Sequence, residues 1–366
     1  ENANGKRPES IKLLVKNGNT VVAEQVVTEA DNWRYTFTNL PKYNEQGNVI
    51  NYTVDESEVN ANDLKFYTKT VEGTTITNTF TVPDEKVSVE VNKVWSDNEN
   101  ANGKRPESIK LLVKNESQTV AEQTVTSNDN WKHTFTNLPK YNSQGNTINY
   151  TVDEEAVNTD DLKFYVKEIN GTTITNTFTV PEDKTEVTVA KIWSDNENAN
   201  GKRPASIKLL LKNGTQTVAE QTVTSNDNWK HTFTNLPKYN SQGNAINYTV
   251  DEEAVNTDDL KFYVKVISGT TITNTFTVPG ETTELTVSKV WSDNDNANGK
   301  RPESIKLLVK NGTQTVAEQT VTEADNWRYT FTNLPKYNEQ GNVINYTVDE
   351  SEVNANDLKF YTKTVE

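Results

Sequence analysis

The chain repeats itself. Lys93, Lys191 and Lys289 stand 98 residues apart, Asn78, Asn176 and Asn274 keep the same step, and LPKY recurs from Leu40, Leu138, Leu236 and Leu334. A fixed long period means that one structural unit is built several times over. The fold therefore has to close within a single period. Two whole periods cover residues 87–182 and 183–280 of the 366, with incomplete copies at 1–86 and 281–366. The copy at 1–86 lacks the first strand, the one that carries KVW. The copy at 281–366 stops at TVE and lacks the last, ITNTF. The pattern reads as a window on a longer array. The joints TVPDEK, TVPEDK and TVPGET are short and proline-marked, which favours a semi-rigid rod over a floppy string.

Each period alternates as strands do, with side chains pointing to opposite faces in turn. SIKLLVK places Ile109, Leu111 and Val113 on one face. TVAEQTV follows a short polar loop that is Asn-Gly in three copies, a hairpin signal. WKHTFTNL alternates Trp131, His133 and Phe135 against polar residues; INYTVDE and TTITNTFTV alternate too, and DLKFY reads as one more short strand. No segment sustains a helical period. About seven short strands in under about a hundred residues predict an all-β chain of tandem immunoglobulin-like β-sandwich domains in a rod-like array.

Cysteine is absent, which excludes disulfides, thiol catalysis and thiolate metal sites. A formal charge of −15 argues against nucleic acid as a partner. No apolar run is long enough to span a bilayer, so membrane insertion is not expected. No secretory leader is visible, so the chain is either cytoplasmic or part of a longer exported protein.

One lysine breaks the pattern. In VSVEVNKVW, Val87, Val89, Val91 and Trp95 share a face, and Lys93 sits among them; Lys191 and Lys289 recur at the same place. On INYTVDE, Tyr150 and Val152 share a face that Glu154 continues. On TTITNTFTV, Asn176 falls between Ile174 and Phe178. Each complete unit thus sends a lysine, a glutamate and an asparagine inward: Lys93, Glu154 and Asn176, then Lys191, Glu252 and Asn274. Burying a lone charge costs several kcal/mol. Two arrangements answer that cost. One is a Lys–Glu ion pair with the asparagine hydrogen-bonded beside it. In the other, burial neutralises amine and acid, the amine attacks the carboxamide, ammonia leaves, and an isopeptide bond remains. Asp153 and Asp251 are rival acids, but they point to the opposite face.

The order KVWSDNENANGKRPESIKLLV, NWKHTFTNLPKY, INYTVDE and GTTITNTF resembles the B-type repeat of the Gram-positive collagen adhesin family, over essentially the whole chain. The resemblance implies a self-formed isopeptide bond between the lysine of KVW and the asparagine of ITN, with the glutamate of YTVxE as catalyst. Carried over, it makes Lys93–Asn176 and Lys191–Asn274 the crosslinks and Glu154 and Glu252 the catalysts. Glu56 and Asn78 have no lysine strand ahead of them, and Lys289 and Glu350 no asparagine strand behind them, so those copies cannot close a bond of their own. The implied function is structural: a stalk holding a ligand-binding domain away from a bacterial cell wall, anchored through other parts of the protein. No cofactor is implied and no enzymatic turnover. The implied partners are neighbouring repeats, with a host matrix protein bound through another domain.

Other readings are open. The repeats themselves could bind a host matrix protein by avidity, although no apolar patch stands outside the inferred core faces. Asn98, Asn100 and Asn102 before Gly103 resemble the start of a calcium loop, but the twelfth position from Asn98 is Ile109 rather than glutamate. His133 and His231 are replaced by Tyr35 and Tyr329 in the outer copies, which argues against an essential histidine. The tryptophans read as core and GKRP as a solvated loop.

Overall fold

The computed structural model describes residues 2–366. Strands joined by turns and short 3-10 segments make up the chain, and it forms two compact units, one holding the first two repeats and the other the last two. Among the described residues, no helix is long and apolar enough to cross a membrane.

The second repeat shows the plan. One sheet orders Tyr165–Asn170, Thr173–Phe178, Lys86–Ser96 and Lys132–Pro139; the other orders Tyr150–Ala156, Ser108–Asn115 and Gln118–Thr126. The two inner faces share one core of Val91, Ile109, Leu111, Val113, Val125, Phe135, Leu138, Val152 and Ile174. Seven strands in two packed sheets form the expected sandwich. The third repeat reproduces it, with Lys184–Ser194 between Lys230–Pro237 and Thr271–Phe276. In both, the first strand of the repeat lies beside the last and runs parallel to it. Parallel neighbours need a crossover, and here nearly the whole repeat serves as one.

Three local readings need correction. DLKFY is not a strand: residues 161–164 turn, with Tyr165 N–H donating to the Leu162 carbonyl at 3.0 Å and the Asp161 carboxylate accepting from Asn158 N–H at 2.9 Å. The strand is Tyr165–Asn170, one step later. The alternation through Phe135 then slips, so Leu138 is also buried. Asn137 has φ 60° and the register shifts between Val87 and Val89, the mark of a β-bulge. In the first hairpin Asn17 pairs with Thr20, so the two-residue loop is Gly18–Asn19, with Gly18 at φ 61°. In the second repeat Glu116 occupies that position at φ 55°.

His133 and His231 set their rings edge-on to Phe135 and Phe233 at 4.7 and 4.6 Å. Tyr35 and Tyr329 do the same to Phe37 and Phe331, both at 4.9 Å. The position is an aromatic packing site.

The flanking repeats show what a strand needs. In the first, residues 34–40 form no strand, and the hairpin Tyr67–Glu72 with Thr75–Phe80 is a two-stranded sheet of its own. In the fourth, the strand Thr282–Ser288 ends before Lys289, and Val290 is 82% exposed against 44% for Val94. Without the neighbouring strand, the same residues have no ladder to join.

Consecutive repeats within each unit meet through one aromatic wedge. Phe66 stands edge-on to Tyr141 at 5.2 Å, and Lys65 Nζ donates to Tyr141 Oη at 2.8 Å while pairing with Glu85 at 2.9 Å. A Cβ on Gly145, at φ 76°, would lie 3.1 Å from two Phe66 ring carbons. Phe262, Tyr337 and Gly341 repeat the joint in the other unit.

Candidate functional site

Lys93, Glu154 and Asn176 come from three strands and meet inside the second repeat. The parallel register pairs Lys93 with Ile174 and Trp95 with Asn176. Asn176 is therefore one diagonal step from Lys93 on the same face, within reach of a long side chain. Glu154 arrives from the facing sheet, paired with Leu111. The Lys93 side chain is 0% exposed and that of Glu154 1%; Asn176 is fully buried. Lys93 Nζ lies 3.2 Å from Glu154 Oε2, 3.4 Å from the Ile174 carbonyl oxygen and 4.5 Å from the centre of the Trp95 ring. In the third repeat, Lys191 Nζ is 3.4 Å from Glu252 Oε2 and 3.2 Å from the Ile192 carbonyl oxygen.

The polar atoms at this meeting point are poorly satisfied. Neither carboxylate oxygen of Glu154 and neither polar atom of the Asn176 side chain has a hydrogen bond, and Glu252 and Asn274 are the same. Lys93 approaches Glu154 at ion-pair distance but without hydrogen-bond geometry. Each buried orphan costs roughly 1–3 kcal/mol. In the first repeat, which has no lysine here, Asn78 Nδ2 donates to Glu56 Oε2 at 3.0 Å. In the fourth, which has no asparagine here, Lys289 Nζ donates to Glu350 Oε1 at 2.8 Å. The glutamate hydrogen-bonds whichever partner stands alone.

Burial pushes the Lys93 and Lys191 amines down to about 8, against the opposing pull of Glu154 and Glu252. Burial also raises the Glu56 carboxyl above its ordinary range, despite the Asn78 hydrogen bond. Asp153 faces the other way and is held between Lys114 and Lys167. Burial raises its carboxyl, but these two lysines outweigh it and bring it down to about 2. A group that ionised makes a poor proton donor.

The model of the Cna protein B-type domain matches residues 1–79, 89–177, 187–275 and 285–366. The chain belongs to this family. A collagen adhesin of Staphylococcus aureus is 40% identical over 359 residues, which is 96% of this chain and 28% of that protein. The chain therefore spans under a third of that relative's length. A crystal structure of two B repeat units of the collagen binding protein of S. aureus is 36% identical, covering 96% of this chain and 90% of that one, with a TM-score of 0.33. A single B repeat unit of the same protein is 38% identical, covering 53% of this chain and all of that one, with a TM-score of 0.25. B-type repeats are structural domains of adhesins, and this chain is a tandem array of them.

These B-type repeats hold one buried acid that the inward-facing triad did not include. Asp97 continues the face of Lys93 and Trp95, and its oxygens accept from Arg105 Nε at 2.9 Å, Tyr165 Oη at 2.9 Å, Asn100 N–H at 3.0 Å and Arg105 Nη2. The period-two pattern, carried two residues further, would have found it. Arg105 belongs to GKRP, so that loop is partly structural. The same network occupies one ligand of the calcium reading, because Asn100 Oδ1 accepts from Arg105 N–H at 2.9 Å. Asn98, Glu99 and Asn100 instead form a left-handed turn, all at positive φ.

Proposed function

We propose that each complete B-type repeat welds its first strand to its last by an isopeptide bond, Lys93 to Asn176 and Lys191 to Asn274. The neutral lysine Nζ attacks the asparagine Cγ; the Nζ–Cγ bond forms and the Cγ–Nδ2 bond breaks. The proton released by the amine passes through Glu154 or Glu252 to Nδ2, which leaves as ammonia. The glutamate, in its neutral form, also polarises the carboxamide oxygen. Each site reacts once, so the repeat is its own substrate and not an enzyme. Glu56 with Asn78, and Lys289 with Glu350, are two-membered sites within residues 1–366.

The observation that carries this reading is the contrast between repeats. Asparagine and lysine each hydrogen-bond the glutamate when alone, but where both are present the carboxamide has no hydrogen bond at all. A carboxamide oxygen and nitrogen that become part of a secondary amide need a different set of partners.

The bond would carry load. Tension entering ahead of Lys93 and leaving after Asn176 would cross between parallel neighbours through one covalent link, and the intervening strands would be spared. Four sandwich domains, 1–86, 87–182, 183–280 and 281–366, would then act as segments of a stalk on a Gram-positive cell surface, anchored through other parts of the protein. Collagen, which the S. aureus relative is named for, would be bound by a domain that the stalk projects.

Intact mass of the folded chain tests this. Two ammonia molecules are expected to be missing, and Glu154→Gln is expected to restore one of them. An unaltered wild-type mass leaves the ion pair as the only arrangement.

A further inference from the structure

Asp97 is buried, ionised and unused by the reaction, and it stands four residues from the attacking amine. Left uncompensated, a negative charge there would hold a proton on Lys93 and so oppose attack. Arg105 sits against it with two guanidinium nitrogens. The same guanidinium lies 5.6 Å from the centre of the Trp95 ring, and the Lys93 amine lies 4.5 Å from it. Trp131 at 5.2 Å and Tyr165 at 4.9 Å close around that ring edge-on. Tyr165 also pairs with Phe178 on the asparagine strand, so its hydrogen bond to Asp97 ties the loop after the lysine strand to the hairpin that presents Asn176. Asp195, Arg203, Tyr263 and Trp193 repeat the arrangement in the third repeat.

We propose that Arg105 and Arg203 are positioning residues for bond formation: each cancels the buried aspartate beside the lysine and clamps the tryptophan that covers the amine. This rests on the bond-forming reading above. The titratable groups around Lys93 come from every side: Glu154 from the facing sheet, Lys167 from the asparagine hairpin, Asp97 and Arg105 from the following loop, with His133 on the neighbouring strand opposite Val91. Of the negative ones, Asp97 is the one whose charge works against the reaction without taking part in it.

The experiment uses full-length chain recovered unreacted in urea, diluted into buffer and sampled over time by peptide mass. The third repeat is the internal control, and tryptophan fluorescence reports folding. Arg105→Met is expected to slow Lys93–Asn176 bonding about tenfold relative to Lys191–Asn274, the equivalent of one unit in the amine's ionisation. It is also expected to move the high-pH limit of bonding in that repeat upward. Asp97→Asn with Arg105→Met removes both charges and is expected to regain most of the rate, which also guards against a loop merely unseated by the single change. Equal rates for Arg105→Met and wild type would overturn the proposal, as would a double variant no faster than the single one. If wild-type chain loses no ammonia in either repeat, the bond-forming reading itself has failed.

Discussion

Asn78 Nδ2 donates a 3.0 Å hydrogen bond to Glu56 Oε2, whereas Asn176 and Glu154, the same two residues one repeat later, make none. The local strands are alike in both repeats. The difference is Lys93, supplied by a strand that the first repeat does not contain in this chain. Where Lys93 is present, that hydrogen bond is absent and an amine, a carboxyl and a carboxamide meet in one buried place.

The pH dependence of bonding separates two roles for the glutamate. In the proposed reaction the pair that reacts is a neutral amine with a protonated acid, which holds the same single proton as the Lys93–Glu154 ion pair. Its share therefore does not change with pH while the pair keeps that proton. Above about 8 the folded amine loses it, and the acid has nothing to donate. Bonding of unreacted chain is expected to be level just below pH 8 and to fall above it. A rate that climbs through pH 8 would mean that the glutamate gives no proton to the reaction.

Asn176→Ala is expected to leave the second repeat folded but far easier to open. Lys93 and Glu154 would then remain as the buried pair they form here, 3.2 Å apart. By analogy with a disulfide closing a loop of roughly eighty residues, the lost crosslink is worth on the order of 4–5 kcal/mol. Protease cleavage between Lys93 and residue 176, with the third repeat as reference, measures it. The variant also gains a pH signature. Its folded amine titrates near 8 and its unfolded amine at the ordinary lysine value, so between them the unfolded chain binds more protons. Stability of the variant should rise with pH across that window; a flat profile would show that Lys93 has escaped to solvent.

Glu116→Gly is expected to stabilise the hairpin of the second repeat by roughly 0.5–1 kcal/mol, the left-handed strain relieved less the chain entropy that glycine adds. Glu116 stands at φ 55°, where the other hairpins place glycine at φ 60–61°. Slower hydrogen exchange in Ser108–Asn115 and Gln118–Thr126 checks it. Unchanged or faster exchange would show that the Glu116 side chain offsets its own strain.

Gly145→Ala is expected to loosen the first joint and, because alanine is strained at φ 76°, to cost the second repeat about 1 kcal/mol while sparing the first. The added methyl would meet the Phe66 ring at 3.1 Å and Lys6 Cε at 3.2 Å, neither of which belongs to a core cluster. Increased independent tumbling of the first two repeats by nuclear relaxation, with unchanged core exchange protection in the first repeat, is the expected pair of readings. Unchanged tumbling would mean that the Lys65–Glu85 and Lys65–Tyr141 contacts hold the joint alone.

Much of the site was legible because strands expose their faces with period two. Lys93, Glu154 and Asn176 stood out as polar residues in apolar series, and no helix competed for the same segments. Asp97 escaped because its loop reads as polar turn chemistry. DLKFY was misread because Leu162 and Phe164 mimic alternation, while the Asp161 cap and the turn's backbone hydrogen bonds depend on three-dimensional closure.

The sequence by itself determined the repeat, most of the strands and the inward direction of the lysine, glutamate and asparagine side chains, since these follow from spacing and backbone geometry along one segment. Tertiary structure alone decided which strands became neighbours: that first and last run parallel, that Trp95 faces Asn176 across that pair, that residues 34–40 stay irregular where their counterparts beside a first strand, Lys132–Pro139 and Arg328–Pro335, are strands, and that 289–291 stay irregular where 93–95, beside a last strand, do not. A strand carries half of each of its hydrogen bonds, and the other half comes from a partner that local sequence does not contain.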